Sequence, residues 1–166
     1  MIKTIYLAAG CFWGTQEFFR RLKGTDAPRV GYANGTLANP TYKEVKAQVS
    51  GHAETCEVLY NTEEISLEKV LDYYFKIIDP TELNHQGEDF GTSYRTGIYT
   101  VDEETLAYAK DYVNRRQADY DKPIVVEVCP LNVFYDAEEY HQNYLVNNPT
   151  GYCHIHFDII AKQDLK

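Results

Sequence analysis

The sequence predicts an α+β fold, a two-layer α/β sandwich in which helices pack on one mixed sheet. Two observations predict this class. Segments with the apolar pattern of strands alternate with segments of helical periodicity along the chain. The chain has 166 residues, which is long enough for one domain with a substantial core and short for two. We therefore expect a single domain over residues 1–166.

The first three elements lead into and out of a glycine-flanked bend. An apolar strand is predicted from Lys3 to Ala9. The next segment, FWGTQEFFRRLKG, has apolar residues at helical spacing, and Gly24 is the predicted stop of this helix. The segment APRVGYANG indicates a short strand that runs into a turn at Asn34 and Gly35. The chain therefore bends sharply between its first strand and its first helix.

The next three elements are two capped helices with a strand between them. Thr41 follows a proline and is the predicted N-cap of a short helix in NPTYKEVKAQV. The segment AETCEVLYN has the composition of a strand. The segment SLEKVLDYYFKIIDP is amphipathic, with Ser66 as its cap and Pro80 as its stop.

The second half of the chain continues the alternation. A polar loop, TELNHQGEDFGTS, precedes a strand in YRTGIYTV. The helix DEETLAYAKDYVNRRQADY has acidic residues in its first turn, where they favour the macrodipole. A strand in PIVVEVCP and a last helix in DAEEYHQNYLVNN follow, and the tail from Pro149 is predicted to be irregular. We expect these elements to form a mixed sheet with a ferredoxin-like core.

Charge and hydropathy exclude several classes of partner. The net charge is −9 and no basic block occurs, so nucleic acids and anionic membranes are poor partners. No apolar run approaches the roughly 20 residues of a membrane span, and the N-terminal apolar run is too short for a signal peptide. The segment CHIH lacks the paired spacing of zinc sites. We therefore predict a cytoplasmic protein without a metal or other bound cofactor.

Cys11 differs from the other three cysteines of the chain, Cys56, Cys129 and Cys153, by its position at a strand-to-helix bend. Scattered cysteines in a reducing compartment are usually buried apolar thiols. The free N–H groups of a helix N-terminus, however, stabilise a thiolate. We therefore expect a lowered pKa and a nucleophilic sulfur at Cys11, with plain packing as the alternative.

Two aromatic residues, Phe12 and Trp13, directly follow Cys11. Adjacent side chains on a first helical turn cannot both face the core, so at least one is expected to line the surface beside the thiol. An aromatic slot would hold a small apolar group and attract a sulfur-bearing methyl group. Packing on the helix face is again the alternative.

An ordered set of motifs resembles the A-type peptide methionine sulfoxide reductases over nearly the whole chain. The motifs are GCFWG, GYANG, NPTYKEV, GHAE, DPTELNHQGEDFGTSYR, EEYHQNYL and GYC. The chain departs from the family pattern at three points. The family often has glycine at the position of Asn34, many members have cysteine at that of Lys46, and many have two cysteines in the tail, where this chain has only Cys153.

The resemblance implies an enzyme that reduces methionine (S)-sulfoxide to methionine in peptides and proteins and thereby repairs oxidised proteins; whether it also reduces the free amino acid stays open at this point. Cys11 is implied as the nucleophile, and Phe12 and Trp13 as the slot for the S-methyl group. Glu54 is implied as the acid that protonates the oxygen, because a desolvated carboxyl stays protonated at neutral pH. Further polar positions of the site match Tyr42, Tyr94 and Asp89.

A second thiol must condense with the sulfenic acid that forms on Cys11. Cys56 lies two residues after Glu54, about 6.6 Å further along a regular strand, but a strand thiol cannot travel. Cys129 ends an apolar strand and is expected to be packed. Cys153 lies in the turn-rich segment NNPTGYC, which could swing onto the site, and it matches the family's GYC. With the resemblance, this predicts a Cys11–Cys153 disulfide that thioredoxin reduces. Direct reduction of the sulfenic acid by thioredoxin is the alternative.

Other functions stay open at this point. Cys11 with His52 or His141 as a base would suit a cysteine hydrolase or acyltransferase, although a lone helix histidine is more often structural. A peroxidase or redox sensor would also use Cys11, and a tyrosine-rich acidic binding module would not need it. Reduction of a peptide that contains methionine sulfoxide separates these possibilities. The resemblance favours a monomer.

Overall fold

The computed structural model describes residues 1–166 and confirms an α+β architecture around one six-stranded mixed sheet. The strands are β1 (Ile2–Ala9), β2 (Thr25–Ala33), β3 (Ala53–Asn61), β4 (His85–Gln86), β5 (Asp89–Phe90), β6 (Thr96–Thr100), β7 (Glu127–Pro130) and β8 (Phe134–Asp136). The helices are α1 (Phe12–Arg21), α2 (Tyr42–Lys46), α3 (Leu67–Ile77), α4 (Glu103–Arg116) and α5 (Tyr144–Asn147).

The sheet has the strand order β7-β6-β1-β3-β2-β8. The β6–β7 pair is parallel, and the other four pairs are antiparallel. Strands β4 and β5 form a separate two-stranded hairpin. None of the helices is both long and apolar enough to cross a bilayer.

The main hydrophobic core lies between the sheet and the helices α1 and α3. Alternate residues of β1 point into it, among them Ile5 and Leu7, which are fully buried. Phe18 and Phe19 of α1 and Leu71 of α3 supply the facing layer. A smaller cluster covers the opposite face of the sheet and consists of Ala8, Ala33, Ala53 and Tyr99.

The predicted helix caps are present. The Thr41 hydroxyl accepts the Glu44 N–H at 3.2 Å, and the Glu44 carboxylate accepts the Thr41 N–H at 2.9 Å, so α2 begins with a complete capping box. The Ser66 hydroxyl accepts the Lys69 N–H at 3.1 Å at the start of α3. Helix α1 ends at Arg21, three residues before Gly24, which turns the chain into β2 at φ +87°.

The prediction of one continuous last helix in DAEEYHQNYLVNN was wrong. One 3₁₀ turn spans Glu139–His141, and α5 begins only after Asn143, whose φ of 54° interrupts any helix. The side chain of Gln142 binds the backbone of β2 instead, since it accepts the Val30 N–H at 2.9 Å and donates to the Val30 carbonyl at 3.0 Å. Hydrogen bonds to the sheet therefore replace those of a helix in this segment.

The C-terminal tail is irregular, as predicted, but it is held in place. Lys69 Nζ lies 2.5 Å from Asp164 Oδ1, and the Lys23 N–H donates to the Asp164 carbonyl at 2.7 Å. Leu165 also forms an isolated β-bridge with Leu22. The end of the tail is therefore fixed beside the end of α1.

Candidate active site

Cys11 is the N-cap residue of α1, at the bend that the sequence predicts. Gly10, with φ +83°, adopts a backbone conformation that L side chains rarely take, and this lets β1 turn directly into the helix. The Cys11 side chain is buried, and the Trp13 N–H of the first turn acts on its sulfur. The Phe12 N–H is donated to a carboxylate oxygen of Glu54 at 3.2 Å.

Glu54 lies near the start of β3 and reaches under the first turn of α1. Its side chain is 1% exposed. Oε1 accepts the Phe12 N–H, whereas Oε2 is buried and has no hydrogen-bond partner. Burial raises the pKa of Glu54 to about 8, although the Phe12 N–H opposes the shift. The carboxyl is therefore largely protonated at pH 7 and can donate a proton.

The pKa of Cys11 shifts in the opposite direction from the expected one. Burial raises the pKa of this thiol well above its ordinary value, the charge of Glu54 adds to the rise, and the Trp13 N–H opposes it. The expected lowering was wrong because desolvation outweighs the favourable field of the helix N-terminus. Cys11 rests as a neutral thiol beside a protonated carboxyl.

The two aromatic residues after Cys11 have different surroundings. Phe12 is buried, with its ring 5.8 Å from that of Tyr32 and 5.2 Å from that of His141. Trp13 is half-buried and stacks on Tyr144 at a centroid distance of 3.8 Å. Its Nε1–H donates to His141 Nδ1 at 2.9 Å. Trp13 is therefore the aromatic side chain that keeps a face toward the surface.

His141 occupies a central position that the sequence interpretation treated as structural. The ring is fully buried, and its centroid is 4.3 Å from that of Tyr42. Because Nδ1 accepts the indole N–H, the neutral ring carries its proton on Nε2, and this atom is buried without a partner. Burial lowers the pKa of His141, although Glu138 opposes the shift. Its match in EYHQ was the only sequence signal for this place.

Three further polar side chains approach Cys11 and Glu54 from separate elements. Tyr42 begins α2, Tyr94 ends a 3₁₀ turn, and Asp89 lies on β5. Burial raises the pKa of each of them, and the charges of Glu54 and Cys11 contribute to the rise at both tyrosines. The two phenols are therefore protonated and able to donate hydrogen bonds. Oδ2 of Asp89 is buried without a partner.

Cys153 already lies against α1, although the tail was expected to swing there. A Cβ at Gly14 would collide with the Cys153 sulfur, so the second glycine of GCFWG leaves the space that this sulfur fills. The Ile155 N–H donates to Cys153 Sγ at 3.3 Å. A charge on Cys153 also raises the pKa of Cys11.

The remaining two cysteines lie away from this arrangement. Cys56 is fully buried in the main core, opposite Leu7 on one side and Val30 on the other. Cys129 lies on β7 and packs against the smaller cluster on the opposite face of the sheet. All four cysteines are free thiols. No group of three or more His, Cys, Asp or Glu side chains has the geometry of a metal site.

Comparisons with known proteins agree on one family. The family model of peptide methionine sulfoxide reductase matches residues 3–166. The chain is 54% identical over 155 residues to the peptide methionine sulfoxide reductase MsrA of Lachnoclostridium phytofermentans. The aligned region covers 93% of each protein. The crystal structure of Mxr1 from Saccharomyces cerevisiae in reduced form matches with a TM-score of 0.84 and 38% identity over 93% of this chain and 91% of that chain. Mxr1 in complex with Trx2 matches with a TM-score of 0.59 and 30% identity, over 86% and 84%.

Proposed function

The chain belongs to the A-type peptide methionine sulfoxide reductase family and is a thiol-dependent enzyme, and on that premise we propose that Cys11 and Glu54 carry out its chemical step. One observation supports this proposal most directly. A buried thiol at a helix N-terminus lies beside a buried carboxyl whose pKa is about 8. This pairing supplies both a sulfur nucleophile and a proton donor at neutral pH.

In the first step, the Cys11 sulfur attacks the sulfur of the sulfoxide while Glu54 gives its proton to the oxygen. The oxygen then moves to Cys11 as methionine leaves, and the proton that Cys11 loses restores Glu54. The Cys11 sulfur is oxidised by two electrons to a sulfenic acid, and the methionine sulfur is reduced by two. Because Cys11 rests as a thiol, its proton leaves only when the sulfoxide is in place.

The surrounding side chains are proposed to orient the sulfoxide. Phe12 and Trp13 form the slot for the S-methyl group, and the phenols of Tyr42 and Tyr94 donate to the sulfoxide oxygen, where negative charge develops. Asp89 is proposed as a further polar contact of the substrate. The site is proposed to accept only the S epimer at sulfur, as the family resemblance implies.

Cys153 is proposed as the resolving thiol. The Cys153 sulfur occupies the space left by the missing side chain of Gly14, and a charge on it raises the pKa of Cys11. Both observations support a Cys11–Cys153 disulfide. The yeast relative Mxr1 has been crystallised in complex with Trx2, and this supports a thioredoxin as the reductant that regenerates both thiols.

The wider role is proposed to be the repair of oxidised proteins and peptides by a cytoplasmic monomer without a bound cofactor, nucleic acid or membrane partner. The free amino acid sulfoxide is a second proposed substrate. We also propose that the core is ferredoxin-like. The order β6-β1-β3-β2, with α1 after β1 and α3 after β3, supports that description.

Turnover of a defined peptide tests the chemical step. A peptide with one methionine (S)-sulfoxide is incubated with dithiothreitol, and methionine is measured by chromatography. We expect conversion by the wild type, none by Cys11→Ser, and a loss of about 100-fold or more for Glu54→Gln. Cys56→Ser, which changes a thiol in the core, is the control and should keep its activity. Undiminished turnover by Cys11→Ser would contradict the proposal.

A second experiment tests the resolving thiol. The enzyme is oxidised with the peptide in the absence of a reductant, and its disulfide is mapped by mass spectrometry. We expect a Cys11–Cys153 link, and we expect Cys153→Ser to release one methionine per enzyme but to lose turnover with thioredoxin. A link from Cys11 to Cys56 would contradict the assignment.

A further inference from the structure

His154, the residue after Cys153, has both ring nitrogens buried; the Ala9 carbonyl acts on the ring, but neither nitrogen makes a hydrogen bond of normal geometry. The two fully buried histidines are fixed by hydrogen bonds. His52 Nδ1 accepts the Gly35 N–H at 2.9 Å and its Nε2 lies 2.7 Å from the Leu37 carbonyl, and His141 is bound by Trp13. Buried polar groups in folded proteins are normally paired, so a buried ring edge on which neither nitrogen is well bonded calls for an explanation.

The edge of the His154 ring that carries both nitrogens faces the residue before Cys11. A Cβ at Gly10 would lie 3.2 Å from His154 Cε1, the carbon between the two nitrogens. The Cys153 sulfur fills the space at Gly14, three residues after Cys11. The tail therefore places its thiol next to Gly14 and its imidazole next to Gly10, the glycines that flank Cys11 in the sequence.

Asp89 faces the same imidazole from the β4–β5 hairpin. Its Oδ2 is buried without a partner. Burial lowers the pKa of His154, the charge of Asp89 and the Ala9 carbonyl oppose that shift, and His156 adds to it. The ring is therefore neutral at rest, with one nitrogen free to accept a proton and the other carrying one, and Asp89 stabilises the imidazolium if it forms.

The disulfide-forming step needs a group with these two capacities. When Cys153 attacks the sulfenic sulfur of Cys11, its own thiol proton must leave and the departing hydroxyl must gain one. Burial raises the pKa of the Cys153 thiol, although the Ile155 N–H opposes the rise, so its thiolate does not form readily unaided. A base close to the tail and an acid close to Cys11 would meet both needs.

We propose that His154 carries the proton from the Cys153 thiol to the oxygen that leaves Cys11. One ring nitrogen takes the thiol proton as the sulfur pair of Cys153 forms the S–S bond. The S–O bond of the Cys11 sulfenic acid breaks, its electron pair leaves with oxygen, and the other ring nitrogen gives that oxygen its proton. The products are the disulfide and one water, and the imidazole ends neutral. This inference rests on the proposed function and on Cys153 as the resolving thiol.

A single turnover without a reductant separates this step from sulfoxide reduction. Enzyme and one equivalent of the (S)-sulfoxide peptide are mixed, and released methionine, remaining free thiols and dimedone adducts on Cys11 are followed in time. For His154→Gln, we expect one methionine per enzyme at the wild-type rate, loss of thiols slowed about 100-fold, and accumulation of the adduct. The unchanged release of methionine also reports that the variant is folded.

The exposed His156, two residues further along the tail, supplies the matched control. His156→Gln should keep both rates. The proposal is overturned if thiol loss in His154→Gln keeps pace with the wild type, or if both steps slow by the same factor. If the glutamine variant does not fold, His154→Asn takes its place under the same criteria. A wild type that releases no methionine would instead refute the proposed function, so the two failures are distinguishable.

Discussion

Replacing Glu54 with glutamine should change the pH dependence of stability in a calculable way. The amide is neutral at every pH and has nearly the shape of the protonated carboxyl. Its oxygen can still accept the Phe12 N–H, which now binds Oε1 at 3.2 Å. The variant therefore removes the cost of ionising a buried group and leaves the packing in place.

The sign follows from the raised pKa of Glu54, about 8 against an ordinary value of 4.5. Below pH 4.5 the carboxyl is protonated in both the folded and the unfolded chain, and burial adds no cost from ionisation. Between the two pKa values the unfolded chain has released the proton that the folded chain keeps. The free energy of unfolding therefore falls as pH rises through this window.

The magnitude follows from the same two values. Each pH unit in the window lowers the free energy of unfolding of the wild type by about 1.4 kcal/mol. The difference between Glu54→Gln and the wild type should therefore grow from near zero at acidic pH to about 3 kcal/mol at pH 7 and about 5 kcal/mol above pH 8. Titrating groups that do not interact with Glu54 act equally on both proteins and cancel in this difference.

Urea unfolding of both proteins at several pH values between about 5 and 8 measures that difference. Glu104→Gln, which replaces an exposed carboxylate on α4 with the same amide, controls for the loss of one charge. Parallel stability curves for Glu54→Gln and the wild type would show that the buried carboxyl ionises normally. The reasoning that makes it a proton donor at pH 7 would then be refuted.

Three further substitutions test the contacts around the site. Gly14→Ala should slow disulfide formation at least tenfold without slowing methionine release, because the added methyl group displaces the Cys153 sulfur. Equal rates of thiol loss in this variant and in the wild type would contradict the prediction. Cys56→Ala should leave unchanged both the number of free thiols lost per enzyme and the rate of that loss. A missing disulfide in this variant would implicate the core thiol in disulfide formation. Trp13→Phe keeps an aromatic ring but loses the N–H donated to His141, so KM should rise several-fold with kcat little changed. An unchanged KM in initial-rate measurements would count against the slot.

Much of the fold can be predicted from local sequence patterns, and the main wrong prediction shows which contacts such patterns do not reveal. The caps Thr41 and Ser66 act through residues three positions away, so they can be read directly in the sequence. The segment around Gln142 has helical composition, but its side chain binds Val30, which is 112 residues away in the chain. No local pattern indicates such a partner. The edge strand β8 was missed for the same reason, since its only sheet partner is β2.

The site shows the same division between local and distant effects. The bend at Gly10 and Cys11 can be predicted from adjacent residues, and with it the field of the helix N-terminus. The carboxyl that raises the pKa of Cys11 comes from Glu54, which β3 brings alongside through its pairing with β1 and β2. Burial and this distant charge together reverse the direction that the helix alone suggests.

The anchoring of Asp164 and Leu165 beside α1 has a consequence for the oxidised enzyme. Because the end of the tail is tethered, Cys153 is held against Gly14 of α1 rather than at the end of a free arm. If Cys153 is the resolving thiol proposed above, a thiol held in this way would reach the sulfenic acid before peroxide or small thiols from solution. On that proposal, the anchored segment would limit irreversible over-oxidation of Cys11 to the sulfinic state.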